Sequence, residues 1–257
     1  TWTSLPLPTY LALQTEHSNI LHSTITDRGG EHLLTVGEKK IIMNGMAVSE
    51  QFLEIFKFPL IHGNASNILD DISSIVITES TAKALFGEDD AMDQIIRIDD
   101  KREMKVAGIL KDVPDNSSLE FDFLIPWSNK LQDVPWIKDI ADKWIGYSMP
   151  VYIELNDAAR KTDVEEGIKN LLKDNGMEDM DPVLFLYPMA RWRLYSTFVD
   201  GVEKGGLNDY VQLFSLIAVF IIVIACINFI NLSTARSENR AKEVGIRKSV
   251  GSNRYNI

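Results

Sequence analysis

The residues best suited to metal binding or proton transfer are four histidines, His17, His22, His32 and His62. They are scattered, and their spacings match no zinc-ligand pattern. Two acidic groups, Asp89-Asp90 with Asp93 and Asp99-Asp100, offer oxygens of the kind calcium takes. They lack the alternating ligand positions and central glycine of a calcium loop and read as solvated turns. No phosphate-cradling loop, nucleophile elbow or zinc motif occurs. Trp127, Trp136 and Trp144, or Trp192 near Tyr187, could line a ligand site or sit beside a bilayer, with ordinary packing as the default reading. No catalytic, metal-binding or cofactor-binding residue is therefore assigned, and no cofactor is expected.

Spacing is more telling near the C-terminus. Arg236, Arg240, Glu243 and Arg247 recur at helical intervals and make one charged stripe. Glu243 and Arg247 form the favourable i,i+4 pair. Ala241, Gly245 and Ser249 make a second stripe of small residues. A mid-helix glycine costs about 1 kcal/mol against alanine, a cost that close approach by another protein surface could offset. Gly251 suits a helix stop. A solvated segment that only satisfies membrane topology accounts for the same residues equally well.

What positions these stripes is the run before them. Val211–Leu232 is apolar on all faces, and no charged residue falls between Tyr210 and Ala235. As a helix it spans about 33 Å, the thickness of a bilayer core. Its fifteen Leu, Ile, Val and Phe residues favour insertion by at most about 5–9 kcal/mol. Asn228 and Asn231 lie on one face, where they can bond a neighbouring helix or reach the headgroups. The sole cysteine, Cys226, lies in this run, so no internal disulfide is possible.

The net charge of the 257 residues is −11. After residue 210 the balance reverses, with Arg236, Arg240, Lys242, Arg247, Lys248 and Arg254 against Glu238 and Glu243. The positive-inside rule puts this basic end in the cytoplasm and the acidic region outside. The acidic surface argues against nucleic acid as a partner. An exported region starting at Thr1 is expected to depend on an upstream membrane segment or signal, and Asn256-Ile257 reads as a cut.

The region before the run, with its ordinary composition, is large enough for one or two cored domains. Helices are expected at Leu11–Glu16, Ser49–Phe56, Glu79–Phe86 (capped by Thr78 and closed by Gly87) and Asp163–Lys173 (capped by Thr162). Strands are expected near Ile20–Thr26, Lys40–Met43, Ser74–Ile77, Gln94–Ile98, Met104–Leu110, Glu120–Ile125, Pro150–Leu155 and Val183–Leu186, with Asp99-Asp100 as a hairpin turn. The stretch around Trp127, Trp136 and Trp144 reads as irregular. The class is α+β.

Arg240-Ala-Lys-Glu-Val-Gly-Ile-Arg-Lys-Ser-Val-Gly251 closely resembles the cytoplasmic segment after the second membrane helix of MacB/FtsX-type ABC transporter permeases. The preceding Asn228-Phe-Ile-Asn-Leu-Ser-Thr-Ala-Arg236 also looks like that family. Phe52-Leu-Glu-Ile-Phe-Lys-Phe-Pro59, Ser80-Thr-Ala-Lys-Ala-Leu-Phe-Gly87 and Val106-Ala-Gly-Ile-Leu-Lys-Asp-Val-Pro114 resemble the periplasmic core domain of that family. One departure is Asp93, where the family usually has glycine.

The resemblance implies a MacB-like periplasmic core with a porter-like part (1–44 and 117–205) and a sabre-like part (45–116). A transmembrane helix (211–232) and a truncated coupling segment (233–257) would follow. It implies a permease subunit in a bacterial inner membrane, itself not an enzyme. Such a subunit would pair with a separate ABC ATPase and a second permease copy, identical or not, and could meet a periplasmic partner protein. Arg240, Glu243, Gly245, Arg247, Lys248 and Gly251 would couple to the ATPase; Asn228 and Asn231 would pack against another membrane helix. Two further membrane helices are expected after Ile257. A membrane sensor shares this topology but predicts a continuous signalling helix, which Gly245 and Gly251 disfavour. A tethered enzyme lacks a catalytic constellation.

Overall fold

Ser74–Thr78 (β6) is the centre around which the outer region is built. All five residues are buried, as expected for an apolar strand with partners on both edges. β6 runs parallel to β8 (Arg102–Leu110) and antiparallel to β9 (Phe123–Pro126). Thr78 accepts a hydrogen bond from the Thr81 N–H and caps α3 (Glu79–Phe86), which stops at Gly87. The computed structural model describes residues 3–146, 148–178, 181–199 and 201–251. Residues 252–257 of the expected coupling segment, and residues 1 and 2, lie outside the described residues.

β6 belongs to a seven-stranded sheet. It takes in β3 (Gly30–Val36), β4 (Lys39–Val48), β5 (Leu60–His62) and β7 (Ile95–Ile98), in the order β5-β8-β6-β9-β4-β3-β7. β7 pairs with β3 on one edge and with β8 on the other, so six of the strands close on themselves and β5 adds to β8. Closure removes sheet edges that would otherwise be open to pairing. Leu34, Ile77, Ile96, Met104 and Phe123 form one buried cluster, with Ile41 and Met43 of β4 packed against it. Every barrel strand contributes to this cluster, which marks it as the interior. Leu85 of α3 joins it. The alternate residues Val76 and Leu124 point the other way, into a cluster with Phe52 and Leu53 of α2 (Phe52–Phe56).

A second, antiparallel sheet has the order β1 (Ser4–Leu5), β10 (Met149–Leu155), β2 (Ile20–Ile25). It forms a core with α1 (Thr9–Glu16), α6 (Lys161–Ile168) and α7 (Leu171–Asp174) through Leu13, Ile20, Val164, Ile168 and Leu172. The chain thus leaves the small sheet at Thr26, builds the barrel and returns by way of α4 (Trp127–Asp133) and α5 (Pro135–Ile140). The expected borders at 44/45 and 116/117 fall inside β4 and in the loop before β9. The sheets themselves change between 26 and 30 and between 126 and 149.

Four local expectations change. β3 and the tight turn at Gly37 to β4 were not foreseen, nor were the short strands β1 and β5. The Trp-rich stretch is helical around Trp127 and Trp136, with Pro135 opening α5 and Trp127 buried, whereas Trp144 lies outside any helix, as expected. The N-cap of α6 is Arg160, not Thr162, which sits inside the first turn. Val183–Leu186 is not a strand. The Leu184 N–H bonds the Lys169 carbonyl (3.1 Å) and the Leu186 N–H bonds Glu165 Oε1 (2.9 Å), so its donors are met by the α6 side instead of a sheet.

Residues from Pro188 onward form a separate unit. A 3₁₀ turn (Met189–Arg191) and a hairpin of β11 (Phe198–Val199) and β12 (Val202–Glu203) precede α8, one unbroken helix over Leu207–Ser249.

Candidate coupling segment

α8 has 43 residues, about 64 Å at 1.5 Å per residue. That is roughly 20 Å more than a whole bilayer with its headgroups. The apolar stretch is wholly uncovered by the rest of the chain. A buried core helix of a soluble protein passes the same length and composition test, but it would be covered. α8 is therefore a candidate transmembrane helix, and its final turns extend beyond the apolar part without a break. Asn228 and Asn231 are exposed on this helix near the C-terminal end of the apolar part.

The charged and small-residue stripes lie on those last turns. Arg247 and Glu243 are joined by a salt bridge across one helical turn. Arg240 and Lys248 are exposed, and Arg247 and Lys248 in the last turn complement the helix dipole. A Cβ added to Gly245 would meet nothing within 4 Å. The glycine therefore answers no packing need among the described residues. The Ser249 hydroxyl donates to the Ile246 carbonyl (2.8 Å). Gly251 has φ +86°, and its N–H reaches the Lys248 carbonyl (3.3 Å), which is the helix stop. Val244, Ile246 and Val250 expose apolar surface on the same turns, Val250 by 81%. Charges, small residues and aliphatics on one helix can dock a protein surface.

In the outer region the structure reveals polar clusters that sequence spacing did not. Asp27, buried at the end of β2, accepts from the Gly29 and Ala47 N–H groups (both 3.0 Å) and pairs with Lys130 (2.9 Å). It thus fastens the small sheet to β4 and α4. The legible signal was the Asp-x-Gly turn; the other two partners lie 20 and 103 residues away. Glu154 on β10 pairs with His22 (2.9 Å) and with Lys57 (3.1 Å) at the end of α2. The His22 hydrogen bond, helped by Lys57 and opposed by burial, holds the Glu154 carboxyl below its ordinary range. Asp99 accepts from His32 (2.7 Å) and from the Leu33 N–H (2.9 Å). Burial pushes its carboxyl up, but these bonds together hold it below the usual value. Burial, with Glu50 nearby, pushes Tyr10 up to about 12.

Two of the acidic turns hold left-handed backbone. Asp99 and Asp100 have φ +52° and +55°, the two consecutive left-handed residues that a tight hairpin turn requires. Asp93 has φ +61° and pairs with Lys105 (3.0 Å). This is a backbone state in which glycine is the default, so the departure at Asp93 carries a conformational cost there. Among the described residues no three His, Cys, Asp or Glu side chains come together as a metal site would require.

Comparison with known proteins places these features in context. The family described as MacB-like periplasmic core domain matches residues 1–171. A macrolide export ATP-binding/permease protein MacB of Neisseria meningitidis is 25% identical over 237 residues, covering 91% of this chain and 34% of its own length. The chain thus spans about a third of the curated relatives it matches. Among solved structures, the periplasmic region of MacB from Actinobacillus actinomycetemcomitans aligns with TM-score 0.51 and 20% identity, over 67% of this chain and 74% of that one. A domain from Porphyromonas gingivalis aligns with TM-score 0.57 and 22% identity, over 69% and 74%. Both share the fold of the outer region.

Proposed function

This chain belongs to the MacB-like periplasmic core domain family, and from that membership we propose that it is part of the permease of an ABC transporter. In this reading α8 crosses the inner membrane of a bacterium, with the acidic region outside. α8 carries the ATP-driven motion of an ATPase to that region, for efflux or for mechanical signalling. The chain itself catalyses nothing. The observation that carries the reading is the family match over residues 1–171; α8 runs on through Gly245, against the expected interruption, and its continuity from an apolar span to a charged and small-residue face is one that a membrane sensor would share.

Arg240, Glu243, Gly245, Arg247, Lys248 and Gly251 form the docking face for the ATPase. Asn228 and Asn231 face another membrane helix, from this chain's continuation or from a second permease copy. The names porter-like for 1–44 with 117–205 and sabre-like for 45–116 remain part of the proposal. A separate periplasmic protein would complete the assembly outside. The Neisseria relative is named for ATP binding and permease together, which favours a second reading in which the ATPase lies on the same polypeptide.

The test reverses charge on the docking face. Glu243→Lys and Arg247→Glu are each made in the full-length permease, which is then reconstituted with its ATPase. Loss of ATPase stimulation by about tenfold or more in either variant, with membrane insertion intact, is the expected result; a docking pair is worth at least about 1.4 kcal/mol if so. Unchanged binding and stimulation in both variants sinks the coupling role. The size of the polypeptide that binds nucleotide decides between the two readings of the ATPase.

A further inference from the structure

The hairpin before α8 is fastened to the first turn of the helix. Asn208 N–H bonds the Leu194 carbonyl (2.9 Å), Thr197 N–H bonds the Gly205 carbonyl (3.2 Å) and Lys204 N–H bonds the Thr197 carbonyl (2.8 Å). At Gly206 the approach is so close that an added Cβ would lie 2.7 Å from the Leu194 carbonyl oxygen. Beyond these bonds β11 and β12 pair through Phe198↔Glu203 and Val199↔Val202. The hairpin therefore moves with the start of α8.

Its surface is unlike that of an ordinary soluble turn. Val202 is 61% exposed, and its cross-strand neighbour Val199, with Met189, Leu194 and Leu207, is also exposed. Tyr210 is exposed one turn into the helix. Arg193 and Lys204 lie exposed among them, and the Arg191 guanidinium sits 4.4 Å from the Tyr195 ring centre. Between the hairpin and α8 lies an open cavity of about 310 Å³, lined by Ser196, Thr197, Lys204, Asp209 and Tyr210. Exposed aliphatics mixed with aromatic rings and long cations are the composition of a membrane interface. There rings and stems sit among acyl-chain ends and the charges stay with the headgroups.

Reach supports the same placement. Val199 and Val202 are each two residues from the Thr197–Lys204 pairing, so they lie about 7 Å past it. The headgroup zone on each side of a bilayer is roughly 5–8 Å deep. Whatever the hairpin's direction, Val199 and Val202 stay close to that zone.

We infer that Met189–Leu207 is an interfacial element seated on the outer leaflet, with Val199 and Val202 inserted among the lipids as a collar at the top of α8. The occupant of this surface is lipid. The collar fixes the depth of the helix, so that movement of α8 along its axis must drag the hairpin against the leaflet. This inference rests on the reading of α8 as a membrane span.

Depth-resolved quenching tests it. The full-length permease carrying Cys226→Ser is given a single Val202→Cys or Ile222→Cys substitution and an environment-sensitive fluorophore. It is then placed in vesicles of phosphatidylethanolamine and phosphatidylglycerol carrying nitroxides near the headgroup or deep in the acyl chains. Label at Val202 should lose fluorescence to the shallow nitroxide and little to the deep one, whereas label at Ile222 should show the reverse. If Ile222 is quenched and Val202 is not, α8 spans the bilayer but the collar is overturned. If the unlabelled Val202→Cys variant instead cross-links to a second copy by a disulfide under an added oxidant, and the label there is shielded from lipid, the surface is a contact between copies and the inference also fails. If neither label is quenched, the span itself is wrong.

Discussion

Gly45 shows how a single residue decides the barrel interior. It faces Phe123 across the parallel β4–β9 pair, and an added Cβ would lie 2.1 Å from the tip of that fully buried ring. Neither partner can move without disturbing the cluster around Leu34 and Met104. Gly45→Ala should therefore destabilise the outer region by about 1–3 kcal/mol through overpacking, read as a lower urea midpoint with an unchanged slope. Glu154 makes a different prediction. Its folded carboxyl lies below the ordinary value of 4.5 because His22 and Lys57 favour the ionised form. The unfolded chain thus binds the proton more readily, and stability must fall as pH drops below about 5. Glu154→Gln should flatten that acid-side fall and leave a lower, less pH-dependent midpoint at neutral pH. An equal pH slope in both proteins would contradict the assignment. Neither contact was legible in the sequence: Gly45 and Phe123 are 78 positions apart, and His22, Lys57 and Glu154 come together only because β2 pairs with β10 beside the end of α2.

At the scale of elements, local signals were read well and long-range closure was not. Thr78, α3 and Gly87 follow from capping chemistry within a few residues. The β7–β8 hairpin follows from Asp99-Asp100. Barrel closure depends on β7 meeting both β3 and β8, which no short window records. β3 was hidden because its seven residues contain glycine, glutamate and histidine, and because its pairing spreads burial unevenly along it. α8 is the opposite case: its apolar composition and its stripes are written in one continuous segment. That element carries a prediction with opposed outcomes. Gly245→Ala should stabilise an uncontacted helix by about 1 kcal/mol, visible as slower amide exchange in the last turns. If the small-residue face docks the ATPase closely, the same substitution should also weaken ATPase stimulation, so the helix becomes firmer while coupling becomes poorer. Firmer helix and unchanged coupling would leave Gly245 outside the docking face.

For the whole molecule the decisive quantity is charge on either side of α8. The chain as a whole is −11, yet its last turns are basic, and translocation of short basic segments is disfavoured. In the proposed reading this charge bias directs the helix, with Leu207 toward the outer surface and Ser249 toward the inner one, independently of any relative. The prediction is a one-sided labelling pattern. Ile42 is 64% exposed on β4, and Ser237 is exposed on α8 just past the apolar stretch. In a Cys226→Ser background, a membrane-impermeant maleimide should modify Ile42→Cys in cells whose outer membrane has been opened. It should modify Ser237→Cys only after the inner membrane is broken. The reverse pattern would place the basic end outside and remove the premise for ATPase docking. Labelling of both sites before lysis would mean that α8 does not cross the membrane, and the collar at its outer end would then have no leaflet to sit on.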